Sequence, residues 1–290
     1  MNIEYARTIP LRDILGKIGL QPAQQNNTTL FYPPPSGGDA TASLLQVEVT
    51  GNTWLDSQSN TCGGPAELVC AYLAGRGKPS TLSDALHWLK FNIGYPALSS
   101  FLAPEDEPES NGQYSVHFKT LLMEKGLIRY AENRGIPVVL ARQFLKQVYI
   151  RNTTNGREFL ALGIKNEEGG YAIHSPFIHA HLGPRAISFM RGKAGTAEVH
   201  IFKDIFDCLL AIVNRNNQLP EADTIILHSY SCLDNASAYV RGYGYHRLYS
   251  SFDRSPVGLQ ATEACAFLAA SEPGLQHISI DLANGAEVKA

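Results

Sequence analysis

The chain has 290 residues, of which 44% are hydrophobic and 18% charged, and its formal net charge is −3. This length predicts about two domains with sizeable cores, and the acidic balance excludes a globally basic nucleic-acid-binding protein, so any such binding would depend on local patches. The five scattered cysteines include no C-x-x-C pair, which favours reduced thiols in a cytoplasmic protein. An apolar signal sequence and a run of about 18 apolar residues are both missing, so neither export nor a membrane role is expected.

The first 98 residues are predicted to form a small α+β domain with an antiparallel sheet. Apolar residues at helical spacing predict a helix over 9–20, with Gly19 ending it. Alternation from Leu44 to Val49 between turn residues predicts short strands, and two helices are expected over 63–75 and 81–91. The following stretch, 99–115, is acidic and rich in Pro and Ser, which indicates a linker.

The remainder divides into a mixed segment and a strongly alternating one. In the mixed segment we predict helices over about 116–133 and 138–147 and strands over 158–164 and 170–174. The last part alternates strands with amphipathic helices, which predicts βαβ units and a parallel sheet flanked by helices. Its strands are expected over 199–202, 224–229 and 246–252, with 278–282 as a further candidate.

Five short segments of the first domain occur in the order and spacing of a known module: IPLRDILGKIGLQP, LFYPPP, TASLLQV, NTWLD and GGPAELVCAYL. They resemble the N-terminal zinc-finger-type domain of primase-like proteins from bacterial mobile elements. YAENRGIP and FLALGIKNEEGGYAIHS resemble that family's connecting core, and the alternating C-terminal segment resembles its Toprim domain. The resemblance implies a finger-like domain over 1–98, a connecting core over 116–197 and a Toprim domain over 198–290.

The finger-like domain lacks the ligands that the resemblance calls for. A structural zinc site needs four Cys or His ligands, and the segment from Tyr32 to Ser43 has none. Cys62 and Cys70 are expected to be core or near-core residues. Zinc is therefore not expected, and apolar packing should replace its contribution to stability through Phe31, Tyr32, Leu44, Val47 and Trp54.

The Toprim resemblance implies a glutamate after the first strand and an aspartate pair after the third, which together hold Mg²⁺. Here Lys203 stands at the glutamate position, Asp204 at the following glycine, and Asp207 is kept. After the third strand Ser251 replaces the first aspartate, while Asp253 survives and Gly258 follows. An ammonium at about 4 Å repels Mg²⁺ by several kcal/mol even at an effective dielectric of about 20.

Lys203 is therefore expected to pair with Asp253 or Asp207, or to hold a nucleic-acid phosphate directly. Asp204 could substitute for the missing glutamate only from a different direction, because successive residues at a strand end diverge. The helix dipole alone would also favour Asp204 and Asp207 in a first turn. Their common position at the carboxyl ends of strands, where α/β sites lie, is what makes them candidates.

Other charged residues cluster locally. A single-stranded nucleic-acid groove and a solvated charged face are both open explanations for them, and the residues concerned are Arg142, Lys146, Arg185, Arg191 and Lys193, with Lys203 and Arg254 beside the Toprim-type site. His174, His179 and His181 are expected to be surface or loop residues, not metal ligands.

The leading hypothesis is a catalytically impaired primase-like protein that binds single-stranded DNA or RNA, or a protein partner in a mobile-element or replication complex. The first alternative is an active primase or phosphoryl-transfer enzyme that uses Mg²⁺ with Asp204, Asp207 and Asp253. The second is a purely protein-binding subunit of a larger complex.

Overall fold

The computed structural model describes residues 1–26, 28–34, 44–103, 114–281 and 286–288. The chain forms two compact units. One comprises Met1–Pro96 with Ala270–Pro273, and the other comprises Ala97–Ala269 with Gly274–Ala290. No helix within the described residues is long and apolar enough to cross a membrane.

The N-terminal unit combines four helices with one antiparallel sheet. Its strands lie in chain order across the sheet: β1 (Gln24–Gln25), β2 (Thr29–Tyr32), β3 (Leu45–Glu48), β4 (Thr53–Asp56) and β5 (Thr61–Gly63). The helices are α1 (Ile3–Thr8), α2 (Leu11–Lys17), α3 (Pro65–Gly75) and α4 (Leu82–Asn92). The helix predicted over 9–20 is the shorter α2, and α1 before it was not predicted. The two are separate because Pro10 holds Ile9 in an extended conformation between them.

Apolar packing holds the N-terminal sheet together. Tyr32, Val47 and Trp54 are buried, as expected from the sequence, and the Trp54 indole donates a hydrogen bond to the Gly64 carbonyl at 3.0 Å. Phe31 and Leu44 are only half-buried. The prediction for Cys62 is wrong, since this thiol is exposed on edge strand β5, whereas Cys70 is half-buried.

The C-terminal unit begins with a five-stranded antiparallel sheet in the order β10-β9-β8-β7-β6. Its strands are β6 (Tyr114–Thr120), β7 (Lys146–Asn152), β8 (Glu158–Lys165), β9 (Tyr171–His174) and β10 (His179–Leu182), with α5 (Lys125–Glu132) and α6 (Val138–Phe144) between β6 and β7.

Three predictions for this region are wrong in part. The helix expected from 116 to 133 is the edge strand β6 followed by α5, because Val116 and Phe118 alternate and the Phe118 ring stacks on Tyr149 of β7 at 3.8 Å. The next predicted helix stops at Phe144, before β7. Within the predicted linker, Leu98–Phe101 form a 3-10 turn with Leu98 fully buried, and 104–113 lie outside the described residues.

The second sheet of this unit is six-stranded, in the order β11-β13-β12-β14-β15-β16. The strands are β11 (Ser188–Met190), β12 (Glu198–Phe202), β13 (Asp223–Ile226), β14 (Arg247–Ser251), β15 (Gln276–Asp281) and β16 (Ala286–Val288). The four inner strands are parallel, as predicted, whereas the edge strands β11 and β16 are antiparallel and were not expected.

Helices cover this mixed sheet on both faces. They are α7 (Ile205–Asn214), α8 (Leu233–Val240) and α9 (Pro256–Ser271). Helices α8 and α9 share one core with Val199, Ile201 and Leu248, whereas α7 packs on the other face in a core that also contains residues of α5, α6 and β8. The N-terminus of α7 therefore lies where the two sheets of the unit meet.

Candidate functional site

The candidate site lies at the carboxyl edge of the parallel strands and centres on Lys203, directly after β12. The Lys203 ammonium lies 3.4 Å from Asp253 Oδ2 and 4.4 Å from the centre of the Tyr230 ring. Tyr230 is fully buried, and burial followed by the charge of Asp253 raises its pKa above the ordinary value. Of the two carboxylates that the sequence offered to Lys203, Asp253 is therefore the one in contact.

Asp253 is held by its own loop as well as by Lys203. Its Oδ1 accepts a hydrogen bond from the Ser255 N–H at 2.9 Å. Burial alone would raise its pKa, but the hydrogen bonds from Ser255 and the charge of Lys203 outweigh burial and lower it. Gly258 is needed here because a Cβ at that position would lie 2.2 Å from the Asp253 carbonyl oxygen.

Asp204 is the N-cap of α7. Its Oδ1 accepts hydrogen bonds from the backbone N–H groups of Phe206 at 2.6 Å and Asp207 at 3.1 Å. Because an N-cap carboxylate satisfies donors that a helix leaves free, the contacts of Asp204 are accounted for by helix capping.

Asp207, one turn into α7, is an unusual carboxyl group. Burial and then the nearby charge of Asp204 raise its pKa to about 7, with a smaller contribution from Asp253 and an opposing one from Lys203. The Asp207 carboxyl is therefore about half protonated near pH 7, whereas Asp253 is fully ionised at that pH.

Ser251, at the position of the first aspartate in the resembling family, does not face this cluster. It is fully buried in β14, and its hydroxyl lies 2.8 Å from Nε2 of His200 on β12. Burial, with a smaller effect of Arg215, lowers the pKa of His200 to about 3, so the ring is neutral. The serine thus belongs to a buried cross-strand pair.

The residues at this edge do not fit a divalent cation. Mg²⁺ takes an octahedral set of hard oxygen ligands, but here Lys203 neutralises Asp253, Asp204 caps a helix and Asp207 retains its proton to about pH 7. Within the described part of the chain, no group of three or more His, Cys, Asp or Glu residues is arranged to hold a metal ion.

Four histidines line the same region. His174 and His179 are directly paired across β9 and β10, with ring centroids 4.4 Å apart, while His181 lies 6.3 Å from both His179 and His228. Of the predicted surface or loop positions, the loop is wrong because all three of the first histidines lie in strands, and the surface holds for exposed His179 but not for buried His174. Burial is the main cause that lowers the pKa values of His174, His179 and His228, so these rings are neutral near pH 7.

Two further residues contribute to the site, although the sequence did not assign either of them to it. The Arg134 guanidinium lies over the rings of Tyr130 and Phe206, at 4.8 and 4.6 Å. Burial is the largest influence on the pKa of His179 and lowers it. The charge of Asp204 raises this pKa, whereas the charges of Arg134 and Lys203 lower it. His228 follows β13 with a left-handed φ of 65° and pairs with Ser188 at 2.7 Å, and its place after a parallel strand was the signal that could have identified it.

The basic residues predicted to bind nucleic acid do not form one groove. Lys203 and Arg254 lie at the carboxyl edge of the parallel strands, and Arg254 is paired with Asp281. Arg191 and Lys193 lie at the opposite, amino edge, because β11 runs antiparallel to β13 and ends beside Thr224.

Three other predicted basic residues belong to the first sheet and its connections. Arg142 donates its Nε hydrogen to the Leu122 carbonyl at 2.9 Å, Lys146 is the first residue of β7, and Arg185 lies between β10 and β11. Their separation indicates several local positive patches, not a continuous channel.

A family model described as a domain of unknown function, DUF8464, matches residues 116–183. No curated protein matches the sequence. Among solved structures, the chain is similar to the primase fragment of the bacteriophage T7 primase-helicase protein, with 12% identity and a TM-score of 0.40 over 81% of this chain and 85% of that one.

Two other structures are similar over about half of the chain. One is bacteriophage T7 lagging-strand DNA polymerase interacting with primase domains bound to an RNA/DNA hybrid and dTTP, with 14% identity, a TM-score of 0.35 and coverage of 51% of this chain and 76% of that one. The other is a DNA primase domain from Pseudomonas aeruginosa, with 12% identity, a TM-score of 0.36 and coverage of 54% and 64%. Identity and TM-score are both too low to transfer the role of any residue to this chain.

Proposed function

We propose that this chain is a primase-like protein whose Toprim-type module, residues 198–290, has exchanged metal catalysis for an internal ion pair. It acts as a nucleic-acid-binding or complex-forming accessory factor in DNA replication or mobile-element biology. The observation that carries the proposal is the contact of 3.4 Å between the Lys203 ammonium and Asp253 at the carboxyl edge of the parallel strands.

Electrostatics favours an anion over a cation at this edge. The Lys203 side chain is 30% exposed, and the exposed Arg134 lies close enough to His179 to lower the pKa of that histidine. A phosphate group can accept hydrogen bonds from both cations, and protonated Asp207 would not repel it. A nucleic-acid backbone supplies such groups at regular spacing.

The catalytic part of the proposal is tested by primer synthesis on a single-stranded template with Mg²⁺ or Mn²⁺. We expect no metal-dependent product from the wild-type chain, and calorimetry should detect no tight binding of either cation. Template-dependent synthesis that disappears in Asp253→Ala would instead establish an active enzyme.

The binding part is tested by the affinity for single-stranded DNA over a salt series. We expect binding that weakens with salt, and Lys203→Gln should reduce the affinity and lower the slope of log K against log salt by about one. Lys78→Gln removes an exposed charge from the N-terminal unit and is the matched control. Co-purification with a protein partner and no DNA affinity at low salt would favour the protein-binding alternative.

A further inference from the structure

A second candidate site lies at the opposite edge of the same sheet. A cavity of about 460 Å³ opens beside β11 and the C-terminal end of α8. Four aromatic rings and two guanidinium groups contribute to its lining, from Phe189, Tyr239, Tyr243, Tyr245, Arg191 and Arg241. We call it the aromatic cavity, and its volume is within the range of small-ligand sites.

Two of the four aromatic rings of this cavity are exposed to solvent. Tyr239 is 38% exposed and Tyr243 is 51% exposed. Each has a ring behind it, since Phe189 lies 5.3 Å from Tyr239 and Tyr245 is stacked 4.4 Å from Tyr243. The backing ring restricts the rotation of the exposed one, and the solvent-exposed part of Tyr239 or Tyr243 can contact a planar ligand.

Backbone conformation presents Tyr243 to the cavity. Its two neighbours are Gly242 and Gly244, with φ of +72° and +91°. Both values are in the left-handed region that costs L-residues roughly 1 kcal/mol or more. The Gly-Tyr-Gly turn therefore lifts one aromatic side chain out of the loop that leads into β14.

A buried carboxylate fixes the cationic wall. Asp223 is fully buried and accepts hydrogen bonds from Arg191 Nη1 at 3.0 Å, the Gly192 N–H at 2.7 Å and the Tyr245 hydroxyl at 2.6 Å. Arg191 also contacts the Tyr243 hydroxyl. Asp223 thus positions both the Arg191 guanidinium and the Tyr245 ring, although the Arg191 side chain remains 57% exposed.

The Arg191 guanidinium lies 5.0 Å from the Phe189 ring centre and 5.4 Å from that of Tyr243, so it bridges the two aromatic pairs. No described residue that lines the cavity is acidic. Arg241 also lines the cavity, and the exposed Lys193 lies two residues along the chain from Arg191. Flat rings beside cations match a base with its phosphate better than an apolar or a basic peptide.

We propose that the aromatic cavity binds an unpaired nucleobase of single-stranded nucleic acid, which stacks on Tyr243 or Tyr239 while Arg191 and Lys193 flank its phosphates. This inference rests on the proposed nucleic-acid function but assigns it to a site separate from the Lys203 edge. Strand recognition at the amino edge would require neither a metal nor the residues around Asp253.

The test measures fluorescence anisotropy of labelled oligothymidylate and of an abasic strand with the same number of phosphates. We expect the oligothymidylate to bind more tightly, and Tyr243→Leu and Tyr239→Leu each to weaken it about tenfold while leaving the abasic strand unaffected. Tyr243→Phe should retain the preference, because the ring is kept. Phe91→Leu removes another exposed ring, in the N-terminal unit, and should change neither affinity.

The outcomes separate the two proposals. Equal affinity for both strands, or a preference that survives both leucine variants, overturns the base-binding cavity and leaves nucleic-acid binding intact. No binding of either strand at low salt overturns both. Thermal unfolding of each variant identifies a folding defect, in which case the other leucine variant decides, and oligouridylate measured in parallel shows whether DNA or RNA is preferred.

Discussion

The N-terminal sheet and the carboxyl edge of the C-terminal mixed sheet are two regions where the family resemblance implies a metal and the ligands are missing. In the first region the strands are held by buried apolar side chains, with Trp54 only 4% exposed. In the second, charged groups remain: Lys203 contacts Asp253, and Asp207 has a pKa near 7. The N-terminal sheet is packed by an ordinary apolar core, whereas the carboxyl edge of the mixed sheet contains charged side chains in contact.

The difference bears on function because buried or half-buried charge opposes folding unless it is paired. A region that only has to fold can rely on apolar side chains, as the N-terminal sheet does. The presence of Lys203, Asp207 and Asp253 together is therefore the feature that supports a binding role for the carboxyl edge. Substitutions in either region can test this difference between an apolar core and a charged site.

The largest effect is expected from Trp54→Ala in the N-terminal sheet. Removal of a buried indole that also donates to the Gly64 carbonyl should cost about 3–5 kcal/mol in the free energy of unfolding. Urea denaturation of the full chain measures it. Cys62→Ala, at an exposed position of β5, should change stability by less than about 0.5 kcal/mol and is the control.

Metal removal sharpens the same point. We expect a chelator to leave the unfolding midpoint unchanged, since apolar packing holds the sheet. If a chelator lowers the stability and added zinc restores it, the N-terminal sheet depends on a bound metal and not on apolar packing alone.

The second effect is pH-dependent and belongs to Asp207. Its pKa is raised from 3.8 to about 7 on folding, so between these values the folded state binds a proton that the unfolded state has released. Stability therefore falls as pH rises through this window, and the full penalty is present above about pH 7. A rise of about three in this pKa corresponds to about 4 kcal/mol, which solvent screening at this half-buried position reduces. Asp207→Asn should remove the penalty and stabilise the chain by about 2 kcal/mol at pH 8, with little change at pH 4.

Denaturation at both pH values checks this prediction. If Asp207→Asn lowers stability at pH 8, the carboxylate must be held ionised, with Lys203 as the nearest cation, and the carboxyl edge would carry a second ion pair. The pH dependence of the wild-type chain would then rise over the same window instead of falling.

The third effect concerns the buried pair of Ser251 and His200. Ser251→Ala leaves Nε2 of a fully buried ring without its partner, which should cost about 1–3 kcal/mol. Ser250→Ala breaks a similar contact of 2.8 Å with His277, but that ring is only half-buried and the cost should be smaller. If the two variants lose the same free energy of unfolding, the burial of the histidine ring does not determine how much each Ser–His contact stabilises the fold.

The carboxyl-edge position of Lys203 and Asp253 was predictable from the sequence. In βαβ units the ends of parallel strands meet at one edge, so residues after the first and third strands had to lie close together. The pairing of Lys203 with Asp253 was one of two expected partners. The choice between them depended on the first turn of α7, which directs Asp207 into the interior, and local pattern does not specify that direction.

Contacts that depend on register were not predictable. The pairing of Ser251 with Phe202 across the sheet brings His200 within reach of the serine hydroxyl, and the hairpin between β9 and β10 places His174 opposite His179. Strand β6 was missed because its edge position leaves Val116 and Phe118 partly exposed, so its alternation was weak beside the helical pattern that follows. The buried Asp223 had no sequence signal, since its three donors come from two distant segments, Arg191–Gly192 and Tyr245.

The smallest effect is expected where the site is most distinctive, at the Lys203–Asp253 ion pair. Both side chains are partly exposed, at 30% and 48%, so solvent screens their attraction. A double-mutant cycle with Lys203→Met and Asp253→Asn should give a coupling energy of about 0.5–1 kcal/mol that shrinks with salt. A coupling this small would mean that the pair does little for stability, whereas a coupling above about 3 kcal/mol would make it a structural element like the apolar core of the N-terminal sheet and remove the contrast.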